Sequence, residues 1–179
     1  CIDVKNGEIV TEKMNYNVGA VPFNLESDLE HDILKIVYIN RYKNGNPQVA
    51  YIHGVGLKRG AYATSVSHDS HNLIAVGCSD AEIVAAVNAV IHEKGGLAVA
   101  DSSSEQVEVM PLPIAGIMSY QKGNEIAEKW SKLCNRLDEM GCSLTSPFMT
   151  LSFMALIVIP ELKIGEKGLF EYSTFSFIS

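Results

Sequence analysis

From His31 onward, short apolar runs alternate with polar, turn-forming stretches. Ile33-Leu34-Lys35-Ile36-Val37-Tyr38-Ile39 is β-branched enough to predict a strand. Lys43-Asn44-Gly45-Asn46-Pro47 predicts the turn after it, because Gly and Asn tolerate unusual φ angles and Pro restricts them. Gln48 to Val55, Gly60 to Val66 and Leu73 to Val76 predict three further strands, with the polar residues His68 to Asn72 between the last two. The period then changes. Ile83, Ala86, Val87, Val90 and Ile91 share one helical face, Ser79 is the expected N-cap with Glu82 as its capping-box partner, and Gly95-Gly96 ends the helix. Leu97 to Ala100 and Val107 to Met110 predict a strand pair across Asp101-Ser102-Ser103-Ser104. A second helix is predicted from about Asn124 to Met140, with Ile126, Trp130, Leu133, Leu137 and Met140 inward and Gly141 as its cap. The tail joins an apolar run, Phe148 to Ile159, to strand-like Phe170 to Ile178.

Nearer the start, Ile2-Asp3-Val4-Lys5 and Glu8-Ile9-Val10-Thr11 alternate around Asn6-Gly7, a pair that accepts the positive φ angles of a type I′ turn. This predicts a hairpin. A lone hairpin is marginal in water, so it is expected to be the remnant of a neighbouring β-sandwich whose other strands lie upstream. Asn15 to Asp28, polar and irregular with Gly19 and Pro22, is the expected linker. The organisation is therefore residues 1–28 as hairpin and linker and 29–179 as the main domain. Strands in hairpin-like groups separated by two long amphipathic helices predict an α+β fold with a mixed, mainly antiparallel sheet rather than a doubly wound parallel one.

Composition narrows the function classes. Of 179 residues, 47% are hydrophobic and 20% charged, enough to bury a core. The net charge of −7 argues against nucleic acid and against an anionic membrane surface, both of which call for basic patches. The longest apolar run is too short to span a bilayer, which takes about 20 residues. Cys1, Cys78, Cys134 and Cys142 form no C-x-x-C pair, so free thiols in a reducing, intracellular compartment are expected. A chain that opens on Cys1 with an orphan hairpin is expected to be a piece of a longer protein.

The chemistry concentrates in His68-Asp69-Ser70-His71-Asn72, five consecutive hydrogen-bonding residues between apolar strands. On a flat strand His68 and His71 would face opposite sides, whereas in a turn residues three apart can converge. Imidazoles bind metals or move protons near neutral pH. Asp69 suits a tautomer-fixing partner, and Asn72 with Asp69 can read the edge of a polar heterocycle. The alternative is a turn held by its own side-chain-to-backbone bonds. His68 and His71 alone are a weak metal pair, because a third ligand at known spacing is missing. Gly54 to Gly60 has the glycines of a phosphate loop but not the pattern, and Lys58-Arg59 suits a solvated turn. Pro111-Leu112-Pro113-Ile114-Ala115-Gly116 is expected to be extended and rigid, and His31, His53 and His92 to be isolated. H-x-H, H-x-E with P-C-x-x-C, and G-x-S-x-G are absent, so the chain carries no complete catalytic set.

Gly56-Leu57-Lys58-Arg59-Gly60-Ala61 followed by Ser65-Val66-Ser67-His68-Asp69-Ser70-His71-Asn72 resembles the C-terminal domain of bacterial adenine deaminases of the amidohydrolase superfamily. Asn40-Arg41, Pro111 to Gly116, Pro147 to Phe153, Pro160-Glu161 and Lys167-Gly168-Leu169 match in order, so the resemblance covers roughly residues 31 to 172. It implies a full, cytoplasmic enzyme that hydrolyses adenine to hypoxanthine and ammonia. It implies a manganese or iron centre at the mouth of an N-terminal (β/α)8 barrel, which activates water. Those ligands belong to the barrel, so no cofactor is expected in this chain and the fragment alone is expected to be inactive. The barrel and a second copy of the enzyme are the implied partners, with adenine as substrate and no nucleic acid or membrane. His68, Asp69, Ser70, His71 and Asn72 are the candidate residues at the substrate site. A non-catalytic oligomerisation or binding module, with this turn as a structural clasp, is the alternative.

Overall fold

The computed structural model describes residues 1–16, 26–104 and 106–178. In chain order the elements are β1 (Ile2–Val4), β2 (Thr11–Lys13), β3 (Ile33–Ile39), β4 (Gln48–His53), β5 (Ala61–Thr64), β6 (Leu73–Gly77), α1 (Asp80–His92), β7 (Gly96–Asp101), β8 (Gln106–Pro111), α2 (Gly123–Glu139), α3 (Pro147–Phe153), β9 (Leu162–Gly165), β10 (Gly168–Glu171) and β11 (Ser176–Ile178). Eight strands form one sheet in the order β2-β1-β4-β3-β6-β5-β7-β8, and β11-β10-β9 form a second, small sheet. Every pairing in the large sheet is antiparallel except β1 with β4. This is the expected α+β class.

Strand alternation sorts the core into two layers. Leu34, Ile36, Tyr38, Tyr62, Ile74, Val76, Leu97 and Val99 join the apolar faces of α2, α3 and the small sheet. On that side Tyr62 meets the ring of Phe148 edge-on at 5.4 Å. The opposite face carries small residues, Ala61, Ala63, Ala75, Ala98 and Ala100, which let α1 close on the sheet through Ile83, Ala86, Val87 and Val90. α1 lies over β5, β6 and β7. Among the described residues it leaves β3 and β4 uncovered on that side, as an apolar groove of about 910 Å³. No described helix is long and apolar enough to cross a membrane.

The caps of α1 differ from the sequence expectation in instructive ways. Ser79 does cap the helix, accepting from the Glu82 N–H. The Glu82 carboxylate does not return to the Ser79 backbone. It accepts the Ser79 hydroxyl at 2.7 Å, the Gly60 N–H at 2.9 Å and the Ser102 hydroxyl at 2.6 Å, so it joins the helix to two loops. At the other end the first left-handed residue is Lys94, at φ +63°, with Gly95 following. The Gly95 N–H closes on the Val90 carbonyl at 2.9 Å.

Four other expectations are corrected. The N-terminal hairpin exists, but Val4 pairs with Thr11, so residues 5–10 form the loop instead of a two-residue Asn-Gly turn. Its partner strand is within the chain, because β1 pairs with β4. The Thr11 side chain sets that register by bonding both the carbonyl and the N–H of Leu162. Part of the expected linker, 17–25, lies outside the described residues. The apolar run after Pro147 is a third, short helix, and Pro113 to Ile117 is a tight turn rather than an extended segment. Ala115 and Gly116 have φ +56° and +78°, and Ile114 bridges Met118.

Candidate functional site

Antiparallel pairing brings the end of β3, the start of β4, the end of β5, the start of β6, the start of β7 and the end of β8 to one edge of the molecule. Segments 40–47, 65–72 and 111–117 gather there. The His68–Asn72 residues thus sit in the connection from β5 to β6, beside the Asn40-Arg41 and Pro111–Gly116 segments.

The turn divides its five residues between two jobs. Asn72 is buried and points inward. Its side-chain oxygen accepts the Arg41 N–H at 3.0 Å, and its amide donates to the Tyr38 hydroxyl at 2.6 Å. The Tyr38 hydroxyl in turn donates to the Ser70 hydroxyl at 3.2 Å. The His68 N–H donates to the Ser152 carbonyl at 3.1 Å, which docks the turn on α3. The His68 ring lies 4.6 Å from the ring of Phe153. Asp69 points to solvent with its side chain 89% exposed, and its carboxylate is 3.9 Å from His68 Nδ1. His71 closes the turn, donating its N–H to the Ser67 carbonyl at 2.7 Å with φ +49°. Among the described residues its Nδ1 is buried without a hydrogen-bond partner, as are the hydroxyls of Ser67 and Ser152. Buried polar atoms are paired in the great majority of folded proteins, so three orphans around one turn single it out.

Arg41 is the residue that sequence reasoning quoted but did not place in the site. Its guanidinium bonds the Ala115 carbonyl and the Tyr42 hydroxyl through one nitrogen. It also lies directly on Gly116, where an added Cβ would stand 2.2 Å from Nη1. The Gly116 carbonyl accepts the Ser65 hydroxyl at 2.6 Å. Arg41 therefore clamps the turn before β6 to the turn after β8. Gly116 marked a turn in the sequence, and Ala115 and Gly116 both take positive φ, but no local signal tied that turn to Arg41.

Other sequence candidates resolve elsewhere. The Gly54 and Gly56 N–H groups donate to the Asp32 carboxylate at 3.1 and 2.8 Å, and Gly60 to Glu82, so the glycine loop is occupied by the protein's own acids. Lys58 is exposed, as a solvated turn requires, while Arg59 bonds the buried Asp101 at 3.3 Å. His31, His53 and His92 each face a carboxylate, those of Asp28, Asp3 and Glu93. All four cysteines are free thiols. Burial pushes Cys78 up to about 12 and Cys142 up to about 11, which makes both poor nucleophiles. Among the described residues no group of three or more His, Cys, Asp or Glu could hold a metal ion, so His68 and His71 lack a third ligand.

The model of the adenine deaminase C-terminal domain matches residues 8–176. An adenine deaminase of Sulfurovum sp. (strain NBC37-1) is 54% identical over 156 residues, covering 87% of this chain and 29% of that protein. One from Methanosarcina mazei is 45% identical over 177 residues, covering 99% and 32%. One from Brucella abortus (strain 2308) is 41% identical over 178 residues, covering 99% and 30%. The chain thus spans about a third of the length of the curated relatives it matches.

Proposed function

The chain belongs to the adenine deaminase C-terminal domain family, and on that premise we propose that it serves a longer enzyme that hydrolyses adenine to hypoxanthine and ammonia. The relatives carry that activity in their name, and in them the catalytic (β/α)8 barrel would lie in the two thirds this chain does not cover. The four free thiols suit the cytoplasm, a reducing compartment. Manganese or iron would be held by the barrel. The donor set here does not fit a metal ion, because His68 and His71 have no third ligand among the described residues.

The role we assign to this chain is to present the His68–Asn72 turn to the mouth of the substrate site. One observation carries this reading. Segments from distant parts of the sequence, Asn40-Arg41, Ser65–Asn72 and Ala115-Gly116, are bonded into one assembly at one edge of the sheet. Within it Asn72, Tyr38 and Arg41 brace the turn, while His68 and Asp69 are left accessible with a ring nitrogen and a carboxylate to offer. Adenine presents ring nitrogens that accept and an amino group that donates, and such side chains can pair with both. A rigidly held, partly apolar wall beside the reacting ring raises the rate by positioning and by excluding water.

The test is made in the full-length enzyme. His68→Ala and His71→Ala are expected to lower turnover by more than roughly tenfold while the melting temperature stays near that of the parent. Normal turnover with a lowered melting temperature would make the turn structural and reject the reading. The 179-residue chain by itself is expected to show no adenine turnover, and measurable turnover by the purified chain would overturn the division of labour.

A further inference from the structure

Beside the His68–Asn72 turn, where the end of α1 meets the β3–β4 connection, lies a cavity of about 440 Å³. Its walls carry Arg41, Lys43 and Lys94, and its floor includes Leu73, Val90 and Ile91. Among the described residues no carboxylate lines it, in a chain whose net charge is −7. The geometry points to a binding site for a small phosphate-bearing ligand with a flat apolar part, a nucleoside monophosphate being the simplest such molecule. Its size is that of an ordinary small-molecule pocket, mostly apolar with a few placed polar groups.

Each cation supplies part of the argument. Arg41 is held before any ligand arrives, because its guanidinium is tied to the Ala115 carbonyl and the Tyr42 hydroxyl through Nη2 alone. Its Nη1 packs on Gly116, and its Nε is buried with no hydrogen bond among the described residues. Arg41 therefore acts on the cavity as a fixed, permanent positive charge. The Tyr42 ring, 62% exposed, lies beside it with Cζ 4.9 Å from the ring centroid, which offers a flat surface for a base. Lys94 occupies the left-handed position after α1, φ +63°, where glycine is the usual residue. Its ammonium makes no ion pair among the described residues. A cation there also complements the carbonyl end of the helix, and that explanation predicts no ligand. Lys43 reaches from the facing loop, and among the described residues its one acidic contact is a loose, exposed pair with Glu166 at 3.4 Å. A phosphate dianion would meet three positive charges that nothing inside the cavity neutralises.

Calorimetric titration of the purified protein with adenosine 5′-monophosphate, adenosine and inorganic phosphate tests this without reference to deamination, so it stands or falls apart from the preceding reading. The monophosphate is expected to bind saturably and adenosine far more weakly. Lys94→Gly and Lys43→Met should each weaken the monophosphate by roughly tenfold or more. Lys94→Gly should do so with an unchanged or raised melting temperature, since glycine suits that backbone. Inorganic phosphate binding as tightly as the monophosphate would support the anion site and assign it to free phosphate. No saturable binding in the millimolar range, equal binding of adenosine, or binding indifferent to both variants would overturn the proposal.

Discussion

The Asn72 side-chain oxygen accepts the backbone N–H of Arg41 at 3.0 Å, and this single bond ties the end of β3 to the start of β6 outside the strand ladder. The same amide donates to Tyr38. Asn72→Leu removes both partners and leaves a buried N–H and a hydroxyl to find others. A loss of about 2–4 kcal/mol is expected, from two lost bonds and one stranded donor. Chemical denaturation reads it, and a loss under about 0.5 kcal/mol would show that the brace is dispensable.

Gly116→Ala places a methyl 2.2 Å from the Arg41 Nη1 at a residue with φ +78°. Two separable penalties follow, backbone strain and displacement of Arg41. In an Arg41→Ala background only the strain remains. A double-mutant cycle should therefore give a coupling of about 1 kcal/mol between positions 41 and 116. Strict additivity would mean that the guanidinium moves aside at no cost.

Ser67 and Ser152 are buried with hydroxyls that bond nothing among the described residues. Ser67→Ala and Ser152→Ala therefore remove an unsatisfied group, and stability should be unchanged or raised by up to about 1 kcal/mol. The comparison of interest is with turnover in the full-length enzyme. A stable variant with depressed turnover would give these hydroxyls a place in the site, and a destabilised one would contradict the burial argument.

Lys163 is 1% exposed in β9, and its ammonium reaches the Ile9 carbonyl at 2.8 Å and the Thr11 hydroxyl at 3.2 Å. No carboxylate pairs with it among the described residues, and burial pulls its pKa down from 10.5 to about 8. Between those two values the unfolded chain binds more protons than the folded one, so this residue makes stability rise as pH increases from about 8 to 10.5. The span corresponds to a gain on the order of 3 kcal/mol. Urea melts across that window should show the parent gaining stability relative to Lys163→Met, a difference free of the opposite contribution that the raised Cys78 and Cys142 thiols make to both proteins above pH 9. A parallel slope in both proteins would mean the lysine titrates normally.

What could be read from the sequence was whatever a short stretch decides by itself. The bounds of β3 follow from a β-branched run closed by a turn, and α2 from apolar residues at helical spacing that really do turn Leu133 and Leu137 inward. The hairpin register was misread because Asn6-Gly7 is a local signal, whereas Thr11 answers to Leu162, 151 residues away. The Arg41 clamp was out of reach for a related reason. Residues 41, 72 and 116 meet only because β6, β5 and β7 lie between β3 and β8 in the sheet, and strand order is set by the whole core. Of the candidate site, the position of the turn was legible and the inward role of Asn72 was not.

Glu82 carries a consequence for how the molecule opens. Helix ends normally fray independently of the rest of a protein. Here the carboxylate in the first turn of α1 also holds the Gly60 N–H, just before β5, and the Ser102 hydroxyl, just past β7. Unwinding that turn must release the ends of two central strands at once. Amide protons in the first turn of α1 should then exchange with solvent at the slow, shared rate of the sheet, as one unit of a larger cooperative opening and not as a loose tip.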